Sequence, residues 1–336
     1  MAKNDHTEVE RNNKNDRLRT ALTKIAQMAS AAINGEEFDE FEYKADWEPE
    51  SISREDIPGC IIKSIPPRLL IKAAENATKI NPSNAPVLGP LAAVKREGQG
   101  ITRLELAAVT SKYWGPVPRT LTVSFMESAP SDLKARIIKH MNAWTRTTSI
   151  SFVETGGTGD VRISRGPGGY WSYLGTDIKL IPKNRPTMNL QGFTMNTPES
   201  EYKRVVRHET GHTYGFPHEH MRRSLVARID REKAYRWFWE NYRWDRETVD
   251  AQVLTSLDEA SLMRTPADET SIMCYQLPGE ITKDGRPIPG GTDINQTDYA
   301  FAGKLYPKLS HMAVAQAEEW GELEDVELEV SLAQGL

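Results

Sequence analysis

The stretch HETGHTYGFPHEH, His208–His220, holds four of the chain's seven histidines. His208 and His212 stand four apart, so on a helix both side chains leave the same face, one turn apart. Two imidazoles so placed can reach a single ion, for which zinc–nitrogen distances are about 2.0–2.1 Å. A third ligand on the same helix would point away or lie too far along it. Gly215 permits a sharp turn, because glycine enters the left-handed conformation that closes many helices. His218 then returns to complete a three-nitrogen set. Glu209, beside the first ligand, faces the open side of the ion. Three protein ligands leave a position for water, which marks a catalytic rather than a structural zinc. A bare HExxH arises often by chance, on helices whose histidines are ordinary core or surface residues. HExxHxxGxxH, on a helix that ends at its glycine, demands much more.

The segment before the motif predicts that helix. Thr197 is the expected N-cap, Pro198 suits the first helical position and Glu199 favours the positive end of the dipole. Tyr202, Val205, Val206 and Tyr214 supply apolar bulk. Further upstream, RTLTVSFM alternates Leu121, Val123 and Phe125 as a strand does. Ser131 is the expected cap of a helix whose apolar face is Leu133, Ile137, Ile138, Met141 and Trp144. ISFVET and DVRISR read as short strands, and PTMNL as an extended piece. The expected class is α+β, a small sheet with helices packed on it.

Length and composition fit one large domain or two ordinary ones: 336 residues, 38% apolar and 26% charged. A net charge of −5 gives no global case for nucleic-acid binding. No apolar run is long enough to span a bilayer, so no membrane partner is expected. The N-terminus, MAKNDHTEVERNNKND, has no apolar segment of the signal-peptide kind. The expected location is therefore the cytoplasm, or outside the cell by a signal-independent route. Cys60 and Cys274 give neither a disulfide framework nor a CxxC site, and reduced thiols are expected. DREKAYRWFWENYRWDRE, 230–247, interleaves arginine and tryptophan, but its acids neutralise it. It reads as an amphipathic helix burying Tyr235, Phe238, Trp239 and Tyr242.

The extended histidine motif resembles that of the metzincin zinc endopeptidases, and GFPHEH is most similar to the astacin branch and its microbial astacin/matrixin-like relatives. The likeness runs on through SKYWGPVPRTLTVSF, GGYWSYLG, PTMNL, SIMCY (Ser271–Tyr275) and DINQTDYAFAGKLYP, roughly residues 110–308. It implies a small twisted mixed sheet packed on an active-site helix and a backing helix, with a cleft between upper and lower halves. It implies His208, His212 and His218 as Zn2+ ligands, Glu209 as general base and acid, Met273 as the apolar floor of a Met-turn, and Tyr275 as a catalytic tyrosine. Cys274 stands where such proteins usually carry histidine. PTMNL, about Thr187 to Gln191, matches the edge strand to which an extended peptide would add. His220 is not a ligand on this pattern but an outer or surface residue. Glu219 matches a glutamate that ties down a mature N-terminus. The expected function is zinc-dependent endoproteolysis of a protein or peptide substrate. A silent zinc-binding interaction protein and a zinc hydrolase of a non-peptide amide are the alternatives.

The flanks lie outside the resemblance. The expected division is 1–108, a helical and irregular N-terminal extension that is a candidate pro- or accessory region; 109–308, the catalytic domain; and 309–336, an acidic tail. Leu18, Leu22, Ile25 and Met28 recur at helical spacing, and KREGQG, 95–100, reads as a linker. Were the extension a latency segment, Cys60, Asp46 or Asp56 could take the place of water on the metal. The tail carries seven acidic residues between Glu318 and Glu329. Oligomeric state has no signature.

Overall fold

The computed structural model describes residues 60–85, 110–256 and 267–308. The chain divides into two units, Met1–Ile52 and Ser53–Leu336, and every described residue lies in the second. The expected helix near residues 17–33, the KREGQG linker, Asp46, Asp56 and the acidic tail lie outside the described residues.

Six strands form one sheet: β1 (Cys60–Lys63), β2 (Arg119–Phe125), β3 (Ile150–Glu154), β4 (Val161–Ser164), β5 (Tyr170–Tyr173) and β6 (Met188–Leu190), in the order β1-β5-β6-β4-β2-β3. All neighbours are parallel except β5 and β6. The α+β class with a mixed sheet stands as expected. The edge does not. PTMNL forms β6, which lies inside the sheet between β5 and β4, with Met188, Asn189 and Leu190 all buried. The strand nearer the edge is β5, and β1 covers it, pairing Cys60 with Tyr170 and Lys63 with Tyr173. The edge reading rests on the resemblance alone, and a short strand buried on both faces offers no alternation that could check it.

Helix α1 (Leu70–Ile80) follows β1. This stretch reads as irregular in the sequence, because prolines precede and follow it and three of its six apolar residues are alanines. Asn84 fastens its end: the side chain donates to the carbonyls of Ala77 and Tyr113 and accepts from the Tyr113 amide, and its carbonyl takes the Ser111 amide.

Helix α2 (Ser131–Met141) buries Leu133, Ile137 and Met141, with Trp144 fully buried just beyond it. Its N-cap is Pro130, not Ser131, and no side chain caps it. Helix α3 is composite: an α-helical turn Glu199–Glu201, a π-helical turn Tyr202–Val206 and an α-helix Arg207–Tyr214. Its N-cap is Pro198, while the Thr197 hydroxyl accepts from the Thr194 amide instead. The C-terminal carbonyls that a helix cannot satisfy itself find side chains: Trp114 Nε1 donates to Thr213, and the Tyr306 hydroxyl to Tyr214. Tyr202, Val205, Val206 and Tyr214 are buried, as expected.

Beyond α3 come α4 (Arg223–Val226), α5 (Arg231–Tyr242), α6 (Arg246–Val249, continued by a π-helical turn Asp250–Leu254) and α7 (Gln296–Leu305). Helix α5 buries Tyr235 and Phe238 as expected, but Trp239 is 53% exposed and Tyr242 is half-buried. Arg243 adopts a left-handed conformation, φ 57°, which ends α5. Trp244 thereby folds back to stack on Phe238, centroids 5.0 Å apart and planes 9° from parallel.

Candidate metal centre

The two halves of the histidine motif are brought together by backbone geometry. The Gly215 backbone is left-handed, φ 100°, and its amide bonds back to the Gly211 and His212 carbonyls. A side chain there would be strained and would also meet the Lys112 carbonyl at 3.0 Å. The chain then reverses, and His218 comes back to the helix face. The ligating atoms of His208, His212 and His218 lie within 4.8 Å of one another, all three residues buried, and His212 Nε2 is 3.0 Å from His218 Nε2. Ligands about 2.0–2.1 Å from a tetrahedral ion stand roughly 3.3 Å apart, so this spacing fits zinc.

Orientation comes from carbonyls that the sequence motif does not show. His208 Nδ1 donates to the Ile272 carbonyl at 2.6 Å, and His212 Nδ1 to the Phe216 carbonyl at 2.7 Å. With Nδ1 carrying the proton, each Nε2 presents a lone pair to the centre. Burial drives all three imidazoles toward the neutral form that binds metal: His208 falls to about 4, and His212 and His218 well below their usual range. His208 Nε2 is buried without a hydrogen-bond partner, as are both Glu209 oxygens and the Tyr275 hydroxyl. Orphaned buried polar atoms are costly, and several pointing at one place are what a cation site requires.

Ser271–Tyr275 forms a turn beneath this centre. Asp298, within the first turn of α7, accepts from Ser271 Oγ at 2.6 Å and from the Ile272 amide at 2.9 Å. The same carboxylate takes the Asn295 amide in a capping box. Asp298 thus fixes the turn whose Ile272 carbonyl aims His208. Met273 is buried under α3, and the residue it packs against is Gly211: a Cβ there would lie 2.3 Å from Met273 Sδ. Tyr275 lies on the centre, its ring 4.2 Å from that of His218. Glu219 is engaged within the described residues, pairing with Arg222 at 3.0 Å and accepting from the Asp268 amide. His220 stays out of the ligand group, but it is fully buried, not at the surface.

The least foreseeable arrival is Cys60. Its thiol, His208 and Glu209 form a second group of potential ligands, all within 4.8 Å of one another. Burial and then the adjacent Glu209 carboxyl push this thiol well above its ordinary pKa, and burial lifts Glu209 to about 8. A cation at the centre would pull both downward. Nothing periodic links Cys60 to a motif far along the chain. The only sequence signal is the chemistry of thiol toward zinc.

Comparison with known proteins gives a consistent result. The family model for the astacin peptidases matches residues 108–284. Zinc metalloproteinase nas-27 of Caenorhabditis elegans is 29% identical over 135 residues, 40% of this chain and 28% of that protein. An astacin-like metalloendopeptidase of Gallus gallus is 23% identical over 231 residues, 63% of this chain and 51% of that protein. The chain therefore spans about half or less of these two relatives. The solved structure of myroilysin superposes with a TM-score of 0.55 at 26% identity, covering 59% of this chain and 96% of that one. A match across residues 108–284 that includes the converging histidines settles the affiliation: this chain belongs to the astacin family of peptidases.

Proposed function

We propose that the chain is a zinc-dependent endopeptidase. The observation that carries this is a fully buried carboxyl, Glu209, beside three buried imidazoles whose ligating atoms converge. His208, His212 and His218 would hold the ion, which when bound supplies Lewis acidity toward a peptide carbonyl. Glu209 takes the proton of the attacking water onto a carboxylate oxygen and returns it to the leaving amine nitrogen. The Tyr275 hydroxyl, having no other partner, donates to the carbonyl oxygen as negative charge develops there. An extended peptide would join the sheet along β5 by backbone hydrogen bonds.

In this chain β1 already lies along β5, with Cys60 against His208 and Glu209. The proposal therefore includes latency: residues 1–108 act as a restraining N-terminal region, and the Cys60 thiol is its blocking group. Asp46 and Asp56, the candidate aspartates for that role, lie outside the described residues, and the Cys60 thiol lies within 4.8 Å of ligating atoms of His208 and Glu209.

The test uses the full-length chain, zinc-loaded, against a peptide library. Cys60→Ser should raise the cleavage rate. Chelation should abolish cleavage, and Glu209→Gln should lower it by about 10²–10⁴-fold. Cleavage undiminished by the chelator or by Glu209→Gln would end the zinc-dependent reading, and no cleavage by any form, Cys60→Ser included, would end the peptidase reading. The latency claim has its own spectroscopic check. Cobalt(II)-loaded chain should show thiolate-to-metal absorption that Cys60→Ser removes and Cys274→Ser retains. No such absorption, together with unchanged activity in Cys60→Ser, would discard the thiol.

A further inference from the structure

We infer that His220 is a positioning residue that holds Tyr275 in place beside the three-histidine centre. Tyr275 poses a problem of placement. Its hydroxyl is buried with no protein hydrogen-bond partner, so the protein contacts that place it are those of its ring and its backbone. Both the ring and the backbone amide meet His220. The two rings stack at 4.2 Å, with planes 18° apart, while the His218 ring lies 4.2 Å from Tyr275 at 49°. The Tyr275 amide donates to His220 Nδ1 at 3.3 Å. His220 Nε2 donates to the Gln252 carbonyl at 2.9 Å. Those two contacts require one tautomer, with the proton on Nε2 and the lone pair on Nδ1.

The partner carbonyl belongs to a π-helical turn, Asp250–Leu254. Gln252 also reaches the cleft edge: its side-chain amide donates to the Ile62 carbonyl of β1 at 3.4 Å. One residue thus contacts both the strand lying along β5 and the histidine that carries Tyr275. Histidine suits the post because it combines a flat stacking ring with a donor and an acceptor on opposite sides. Phenylalanine keeps the ring and loses both hydrogen bonds. Asparagine keeps an acceptor near the Nδ1 position and loses the stack.

The positional claim stands without the peptidase reading; its catalytic consequence rests on it. Residue-resolved amide exchange of the full-length chain tests the first. In His220→Phe the Tyr275 amide should exchange about tenfold faster, the cost of one lost hydrogen bond. The neighbouring Cys274 amide, bonded to the Ser271 carbonyl at 2.9 Å, should keep its rate. His220→Asn should largely restore Tyr275 protection. An unchanged Tyr275 rate in His220→Phe overturns the assignment, as does equal acceleration at Tyr275 and Cys274 in His220→Asn. Kinetics in the Cys60→Ser chain test the second. His220→Phe should lower kcat about tenfold with KM within about twofold, and should add little when Tyr275 is already phenylalanine. Equal losses in both backgrounds would mean that His220 does not act through Tyr275. A Cys60→Ser chain that cleaves nothing sinks the peptidase reading alone, and the exchange data still decide the placement.

Discussion

Gly211 stands between His208 and His212, and it is glycine because the Met273 thioether occupies the space a side chain would need. Trp144 closes the other side, its Cζ2 3.3 Å from where a Cβ would sit. Gly211→Ala should therefore push Met273 down and cost about 1–3 kcal/mol. Denaturant unfolding measures that cost, and unchanged stability would show that the thioether moves freely. The metal-binding side chains can be read from spacing alone, because a helix converts a four-residue interval into a shared face. Their orientation cannot. The groups that aim His208 and His212 are backbone carbonyls of Ile272 and Phe216, and every residue type has one. Cys60 is suspect for its chemistry, but its placement depends on strand pairing with Tyr170, which no local pattern encodes.

Helix α5 shows how an element can be recognised and still be mis-faced. Periodicity gives its existence and its Asp230 start, where the carboxylate caps the Lys233 amide. It does not give the left-handed Arg243, since arginine rarely adopts that conformation. That single residue exchanges the expected buried Trp239 for Trp244, which is 5% exposed. The contrast is testable by thermal or chemical unfolding. Trp244→Ala should cost about 3–5 kcal/mol, as large core truncations do. Trp239→Ala should stay within about 1 kcal/mol. Equal costs would contradict the burial. Strand β6 is misplaced by sequence reading for the opposite reason, being too short and too evenly buried to reveal which neighbours it has. The Asn295–Asp298 capping box and its second duty, fixing the Ser271–Tyr275 turn, both appear only in the structure, the second because two distant segments meet.

For the molecule as a whole, the three histidines join α3 to the segment after it, and the Ile272 carbonyl joins both to the turn. An ion bound there favours only the folded chain. At a thousandfold excess over its dissociation constant, such a ligand stabilises by about 4 kcal/mol. Chelation should accordingly lower the melting temperature by roughly 8–16 °C for a unit of this size. A His212→Ala chain should melt at the same temperature with and without chelator. Calorimetry that finds no difference for the unsubstituted chain would show that the centre contributes nothing to holding these parts together. Among the described residues no helix is long and apolar enough to cross a membrane.

The Asn84 side chain clasps the Tyr113 backbone on both its donor and acceptor groups, and Ser111 adds a third bond. The two ends of the intervening polypeptide are thereby stapled side by side. A single cut between residues 85 and 110 would then yield a nicked protein whose fragments part in denaturing gels but travel together in native ones. Scission and liberation are separate events, and a protease that makes the first would still have to wait for the second.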